Sequence, residues 1–407
     1  MRKLISILLC LCIFCTFIGC SPSSTSQQLA KATSPALTFE NNEITDLSEQ
    51  IIGFSAEIFR HTAGRENSLI SPVSLLYALY MTANGADGQT LADFQRLTGT
   101  DIETLNIYLA TFKNSLPQTA KAKLNMANAI WFRDSFNANQ QFLDKNRDYY
   151  GAGIYKAPFD NTTVEDINNF AKENTGGQID RILENIPAET VMYLVNALSF
   201  DSKWEDKYKK SQIHDGIFTA YNGDSQTVKM MYSEESVYIE DENTTGFVKD
   251  YDGGKYRFVA LLPDENTDII EYVKKLDGEK LTGLLNTVNC PVDVTIPQFE
   301  TTYRAEMKDI LTAAGLGSFF DPVNADFSNS GSARYNLYIS SVAHKTTLTL
   351  DDNGTKAAAI TIVSQNEGAE APPDDLKVVR LDRPFVYMIV EGQTNIPVFI
   401  GTVMTIE

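Results

Sequence analysis

Residues Asp351–Asp375, DDNGTKAAAITIVSQNEGAEAPPDD, constrain the fold most, because they can be read either as exposed loop or as buried strand. Gly354 supplies backbone freedom at the start. Side chains alternate across a strand, so Thr355, Ala357, Ala359 and Thr361 would share one face, small enough to enter a crowded sheet interior. Lys356, Ala358, Ile360 and Ile362 would share the other. A surface helix through TKAAAI is the competing reading, since alanine favours helix; an ordinary long loop is another. The far half is polar and interrupted by Pro372 and Pro373. A segment that can be either exposed loop or buried strand suggests a switch.

The amino terminus has a different logic. MRK carries two positive charges, and residues 4–18 are apolar except for Ser6 and Thr16. That run is short for a membrane span and fits a signal peptide, residues 1–20. It ends in FIGC, which places Cys20 where a bacterial lipoprotein carries its acylated cysteine, although Phe17 departs from the usual leucine. Ordinary cleavage and release is the alternative. Residues 21–40 begin with a Ser/Thr/Pro-rich run and are expected to be a flexible tether. The folded part, 41–407, would then sit outside the cell, lipid-anchored to the membrane surface without spanning it.

Of five cysteines, Cys10, Cys12, Cys15 and Cys20 belong to the signal or anchor, and only Cys290 lies in the folded part. An internal disulfide and a Cys/His zinc site are both excluded by that count. A large core must supply stability, and 43% hydrophobic residues allow one. The formal net charge of −19 argues against nucleic acid and against adhesion to anionic lipid.

No linker or repeat divides the chain between about residue 45 and the loop at 351. DLSEQIIGFSAEIFRHT carries an apolar stripe at helical spacing, with Asp46 or Ser48 as a cap. SPVSLLYALYMTANGA opens with Ser71 before Pro72, a cap followed by proline in the first turn, and is apolar nearly all round, so it predicts a buried helix. Strand-like runs follow: KLNMANAIWF, VMYLVNALSF, YRFVALLP, VDVTIPQFE, YNLYISSVAHKTTLTL, PFVYMIVEG and PVFIGTVMTI. Without regular βαβ alternation, the pattern predicts one α+β domain with antiparallel sheets.

Catalytic signatures are missing. The chain has three histidines and no GxSxG, HExxH, P-loop or GxGxxG motif. His344 could be asked to serve Ser71 or Ser74 as a base, but neither serine has a nucleophile's context, and a hydrogen-bonded core histidine is the plainer reading. KDYDGGK resembles a calcium loop only faintly and lacks its spacing. No enzyme, metal or cofactor is expected.

With these segments in view, the chain resembles a serpin from about Asn41 to its carboxyl terminus. NSLISPVSLLYALYMTANGADGQT resembles the family's helix B segment, and LNMANAIWF and YYGAGIYKAPF the strand and turn after it. INNFAKENTGGQIDRIL resembles helix F and its exit. VNALSFDSKWE is similar to the family's VNAIYFKGxWE signature, with Asn196 and Trp204 retained and Ser199 replacing the usual tyrosine. VTIPQFE, AHKTTLTLDDNGTKAAAIT and RPFVYMIVEGQTNIPVFIGTV resemble later strands, the hinge and the carboxyl end.

The resemblance implies three antiparallel sheets, about nine helices and a reactive-centre loop at about 351–377. It implies a monomeric suicide inhibitor: a target serine protease attacks the loop and forms an acyl-enzyme. The hinge (Asp352, Gly354, Thr355, Ala357, Ala358, Ala359, Thr361) then enters the main sheet as a strand, distorting the protease. Ser71, Ser74, Asn196 and His344 would form a polar cluster beneath the opening sheet, and Trp204 would sit where the hinge enters. Two departures stand out: Asp352 replaces the family's glutamate, and Lys356 stands where a second glutamate is usual. The scissile bond is expected among Glu367, Gly368, Ala369 and Glu370. No Arg or Lys lies between Lys356 and Lys377, so an elastase- or subtilisin-like target is expected, with a glutamyl endopeptidase allowed by Glu367 or Glu370. The alternative is a serpin-fold carrier that never inserts its loop.

Overall fold

The computed structural model describes residues 26–31, 37, 46–116, 121–188, 190–355 and 377–406. Cys20 and the loop positions Ala357, Ala358, Ala359, Thr361, Glu367, Gly368, Ala369 and Glu370 lie outside them.

Nine α-helices occur among the described residues: α1 (Ser48–Arg60), α2 (Pro72–Ala83), α3 (Gly88–Thr98), α4 (Ile102–Ser115), α5 (Gln140–Lys145), α6 (Asn161–Asn174), α7 (Ile269–Lys274), α8 (Gly278–Leu285) and α9 (Lys308–Leu311). The largest sheet has seven strands in the order β1 (Gln27–Ala30), β5 (Gly153–Ala157), β3 (Ala122–Arg133), β6 (Met192–Lys203), β16 (Gly354–Thr355), β15 (Ser341–Asp351) and β13 (Phe299–Glu306). A six-stranded sheet runs β2 (Ser68–Ile70), β19 (Pro397–Val403), β18 (Phe385–Glu391), β11 (Tyr256–Pro263), β10 (Thr244–Asp250), β9 (Val237–Asp241). A four-stranded sheet runs β17 (Lys377–Arg380), β12 (Val292–Pro297), β8 (Ser225–Glu235), β7 (Ile213–Thr219), and β14 (Gly331–Ser332) pairs with β4 (Asn137–Ala138).

The α2 helix explains how the core is organised. Ser71 caps it, its Oγ accepting from the Ser74 N–H at 3.2 Å, and Pro72 occupies the first turn, where no N–H is needed. Every residue from Pro72 to Ala83 is buried, as expected for a helix apolar nearly all round. It packs between the large and the six-stranded sheets. The outer face of the large sheet is covered by α6, where Val164, Ile167, Phe170 and Ala171 meet Ala129, Trp131, Val195, Ala197 and Ala343 in a second apolar layer.

Two sequence expectations need correction. The sheets are not wholly antiparallel: β3–β5, β6–β15 and β12–β17 are parallel pairs. Each pair is joined by a long excursion of chain, and periodicity records which face a residue takes but not strand direction. Residues 21–40 are also not a tether throughout. Gln27–Ala30 form β1, paired with β5, because the edge of β5 is open and Leu29 and Ala30 pack on the core.

Candidate functional site at the top of the large sheet

The parallel strands β6 and β15 are joined at one end and parted at the other. Their register pairs run from Ser341↔Tyr193 to Lys345↔Ala197. Above that level, among the described residues, they are linked through β16. Thr355 pairs with Ser202 on one side and Leu350 on the other, and Gly354 with Lys203 and Asp351. Between these two levels, among the described residues, no register pair joins Leu198–Asp201 to Thr346–Thr349. The first two residues of the hinge strand are thus already seated antiparallel to both neighbours.

Local chemistry explains why the chain turns there. The Asp351 carboxylate accepts from the Asn353 N–H at 2.7 Å and the Gly354 N–H at 3.2 Å, and burial raises its pKa above the ordinary carboxylate value. Gly354 has φ +145°, and a Cβ there would lie 2.1 Å from the Ser202 carbonyl oxygen, so only glycine fits this approach. Thr355 is fully buried, and its Oγ1 lies 2.5 Å from Tyr251 Oη.

Trp204 holds the turn from below. Its indole N–H donates to the Asp351 carbonyl at 2.8 Å, and its backbone N–H to the Asn353 carbonyl at 3.0 Å. The Asp352 carbonyl accepts from the Tyr208 N–H at 3.1 Å. The indole stacks on Tyr251, with ring centroids 4.4 Å apart at 10°. Beneath it, Lys249 is buried against the Trp204 and Tyr208 rings and pairs with Glu235 at 2.6 Å. The Ser233 hydroxyl donates to the same Glu235 oxygen at 2.6 Å.

A second polar group lies where β6 and β15 are joined. His344, buried on β15, accepts from the Ser71 N–H through Nε2 at 3.2 Å. Burial holds its pKa down at about 4, so the ring is neutral near pH 7 and able to accept. Ser74 donates its hydroxyl to the Ser71 carbonyl at 3.2 Å. The backbone of Asn196 is in register with Asn128 on β3 and with His344. The structure therefore brings Ser71, Ser74 and His344 together, with Asn196 at the same level. Trp204, Asp352, Gly354 and Thr355 form a separate group at the hinge.

Sequence reasoning missed Tyr208, Glu235, Lys249 and Tyr251. Lys249 and Tyr251 belong to KDYDGGK, the run that faintly resembled a calcium loop. Both point inward on the hinge rather than gathering ligands, and no group of three or more His, Cys, Asp or Glu side chains suited to a metal occurs among the described residues. Alternation across 249 and 251 was the available signal. Their partners lie 14 and 104 residues away.

This arrangement, a glycine-threonine pair seated between the two parallel strands β6 and β15, agrees with the sequence comparison. The profile of the family described as Serpin (serine protease inhibitor) matches residues 49–406. The chain belongs to the serpin family. Leukocyte elastase inhibitor A of Rattus norvegicus is 28% identical over 371 residues, which cover 86% of this chain and 97% of that protein. The thermophilic serpin tengpin in its native state is 43% identical, with a TM-score of 0.87 over 94% of this chain and 100% of that one. Against tengpin in its latent state the TM-score is 0.79 at 42% identity, over 91% of this chain and all of that one. Thyroxine-binding globulin in complex with thyroxine, at 24% identity, shares the fold with a TM-score of 0.76 over 88% of this chain and 99% of that one.

Proposed function

We propose that this chain is a suicide inhibitor of serine proteases, acting as a monomer and held on the outside of a bacterial cell by lipid on Cys20. One observation carries the inhibitory reading: Thr355 is already seated between β6 and β15, level with Ser202 and Leu350.

Attack by the protease's serine oxygen on a loop carbonyl among Glu367–Glu370 breaks the peptide C–N bond. The amine leaves with the proton passed on by the protease's histidine, and an ester remains. With the loop cut, the strand begun at Gly354–Thr355 can lengthen. Ala357, Ala359 and Thr361 follow Thr355 onto the buried face, and the ester-bound protease is dragged along. About a dozen new backbone hydrogen bonds at roughly 0.5–1.5 kcal/mol each amount to the order of ten kcal/mol. That release requires a starting fold held by a kinetic barrier.

The loop's small residues and its lack of Arg or Lys between Lys356 and Lys377 favour an elastase- or subtilisin-like target, a direction also suggested by the name of the rat relative. The test is incubation of the mature protein with a panel of such proteases, followed by denaturing gels and mass spectrometry of the released carboxyl-terminal peptide. A complex that survives denaturant supports inhibition and fixes the scissile bond. Plain cleavage by every protease tried would leave the carrier reading instead.

A further inference from the structure

The strand β1 ties the amino-terminal segment to the outer edge of the large sheet. Gln27 pairs with Lys156, Gln28 with Tyr155 and Ala30 with Ile154 at the outer edge of the large sheet. Just before it, the Ser26 N–H and hydroxyl both donate to the Asp166 carboxylate on α6, at 2.9 and 2.7 Å, and the Trp131 indole N–H reaches Ser26 Oγ at 3.4 Å. The chain is therefore held over Ser26–Ala30.

Register locates this hold. Lys156 is level with Phe132, and Phe132 with Met192, the first residue of β6. The hinge residue Thr355 is level with Ser202, ten positions further along the same strand. Ten strand residues span about 33 Å, so Ser26 lies at the pole opposite the hinge. Only Ser21–Thr25 separate it from Cys20. Those six Cα steps reach at most about 20 Å, whatever path they take.

We propose that this far pole, where β3 ends and β6 begins, is the surface that faces the lipid bilayer, and that the reactive loop is thereby directed away from it. The proposal rests on the lipid-anchor reading of Cys20. A reach of about 20 Å cannot turn the body over, because the hinge is about 33 Å from the hold. With residues 21–40 wholly free, every orientation would be open. Two of the large apolar side chains most exposed in the described structure, Val323 (78%) and Tyr335 (67%), lie at or beside this pole: Pro322 and Tyr335 line one cavity with Arg133 and Val191. Arg334 sits over the Tyr335 ring at 5.4 Å. Such aromatic and apolar tips suit a lipid–water boundary. An inserting loop carries its far end toward this same pole.

The test supplies the lipid chemically, so that it does not depend on cellular acylation. The mature chain beginning at Cys20, in a Cys290→Ser background, is ligated through its amino-terminal cysteine to a thioester phospholipid in phosphatidylcholine vesicles. A donor dye is then placed on Val323→Cys or on Val378→Cys, the latter beside the loop's exit, with acceptor dye in the headgroups. Severalfold stronger transfer from position 323 is expected; equal or reversed transfer overturns the proposal. Replacing Ser26–Ala30 by a Gly-Ser run of equal length should abolish the difference, and a difference that persists refutes the role of β1. Loss of membrane association in cells on Cys20→Ala tests the anchor itself. A negative result there leaves the orientation measurement standing.

Discussion

Thr355 and Tyr251, 104 residues apart in sequence, share a fully buried hydrogen bond of 2.5 Å between their hydroxyl oxygens. It joins the second residue of β16 to the ring that stacks on Trp204. Tyr251 is itself pushed to a high pKa by burial and stays a neutral phenol. On the proposed inhibitory reading, the bond marks the point from which the loop would extend the strand.

If the chain inhibits as proposed, Thr355→Arg should leave it a substrate only, because a guanidinium cannot follow the chain into a site with no solvent exposure. Denaturing gels should show a cleaved loop and no stable complex; an unchanged yield of complex would sink the insertion argument. Thr355→Val keeps the shape but strands the Tyr251 hydroxyl, at an expected cost of about 1–3 kcal/mol in urea unfolding.

Lys356, where the family usually has glutamate, should help insertion here. Continuing the observed register places it opposite Asp201 on β6 and Thr349 on β15 once the strand lengthens. Lys356→Glu would set like charges side by side, worth about 0.2–1 kcal/mol, and slow insertion by up to about fivefold. More inhibitor should then be consumed per protease trapped. Adding Asp201→Asn should restore the original ratio; failure to restore it would show that the charge pairing is irrelevant.

Acid should weaken the fold through His344. Its folded pKa, about 4, lies below the unfolded value of 6.5 because the neutral ring is buried. The unfolded chain takes up the proton first. The stability this ring contributes is therefore complete above pH 6.5 and is lost as pH falls from there through 4, by about 3 kcal/mol in all. Urea midpoints measured from about pH 7.5 to about pH 4.5 should fall more steeply for the native protein than for His344→Gln. Parallel curves would contradict the assignment.

The Lys249–Glu235 pair, with side chains 3% and 12% exposed, should reward joint removal. Lys249→Met alone strands a buried carboxylate and should cost about 3–5 kcal/mol, most of it recovered in Lys249→Met/Glu235→Gln. A double variant no more stable than the single one would mean that the loss comes from the Trp204 and Tyr208 contacts instead.

Much of this protein is readable along the chain. The Ser71-Pro72 start and all-round apolar character of α2 follow from capping and burial, both local properties. The alternation that placed Thr355 on an inward face is local too. The KDYDGGK run was harder, because the value of Lys249 and Tyr251 depends on Glu235 and Thr355, which tertiary packing alone brings near. The free tether over 21–40 failed for a similar reason. QQLA is unremarkable as sequence and becomes a strand because β5 offers an unpaired edge and Asp166 receives Ser26.

By itself, the sequence determined which segments can be strand or helix and which faces are small or apolar, because side-chain period and backbone propensity act over a few residues. Strand direction and the parting of β6 from β15 were decided by the tertiary structure. So was the placement of Ser26 at the pole opposite Thr355. These depend on which backbone edges meet across separations that run from a few dozen to well over a hundred residues, and hydrogen-bond pairing across such separations leaves no periodic trace in the chain.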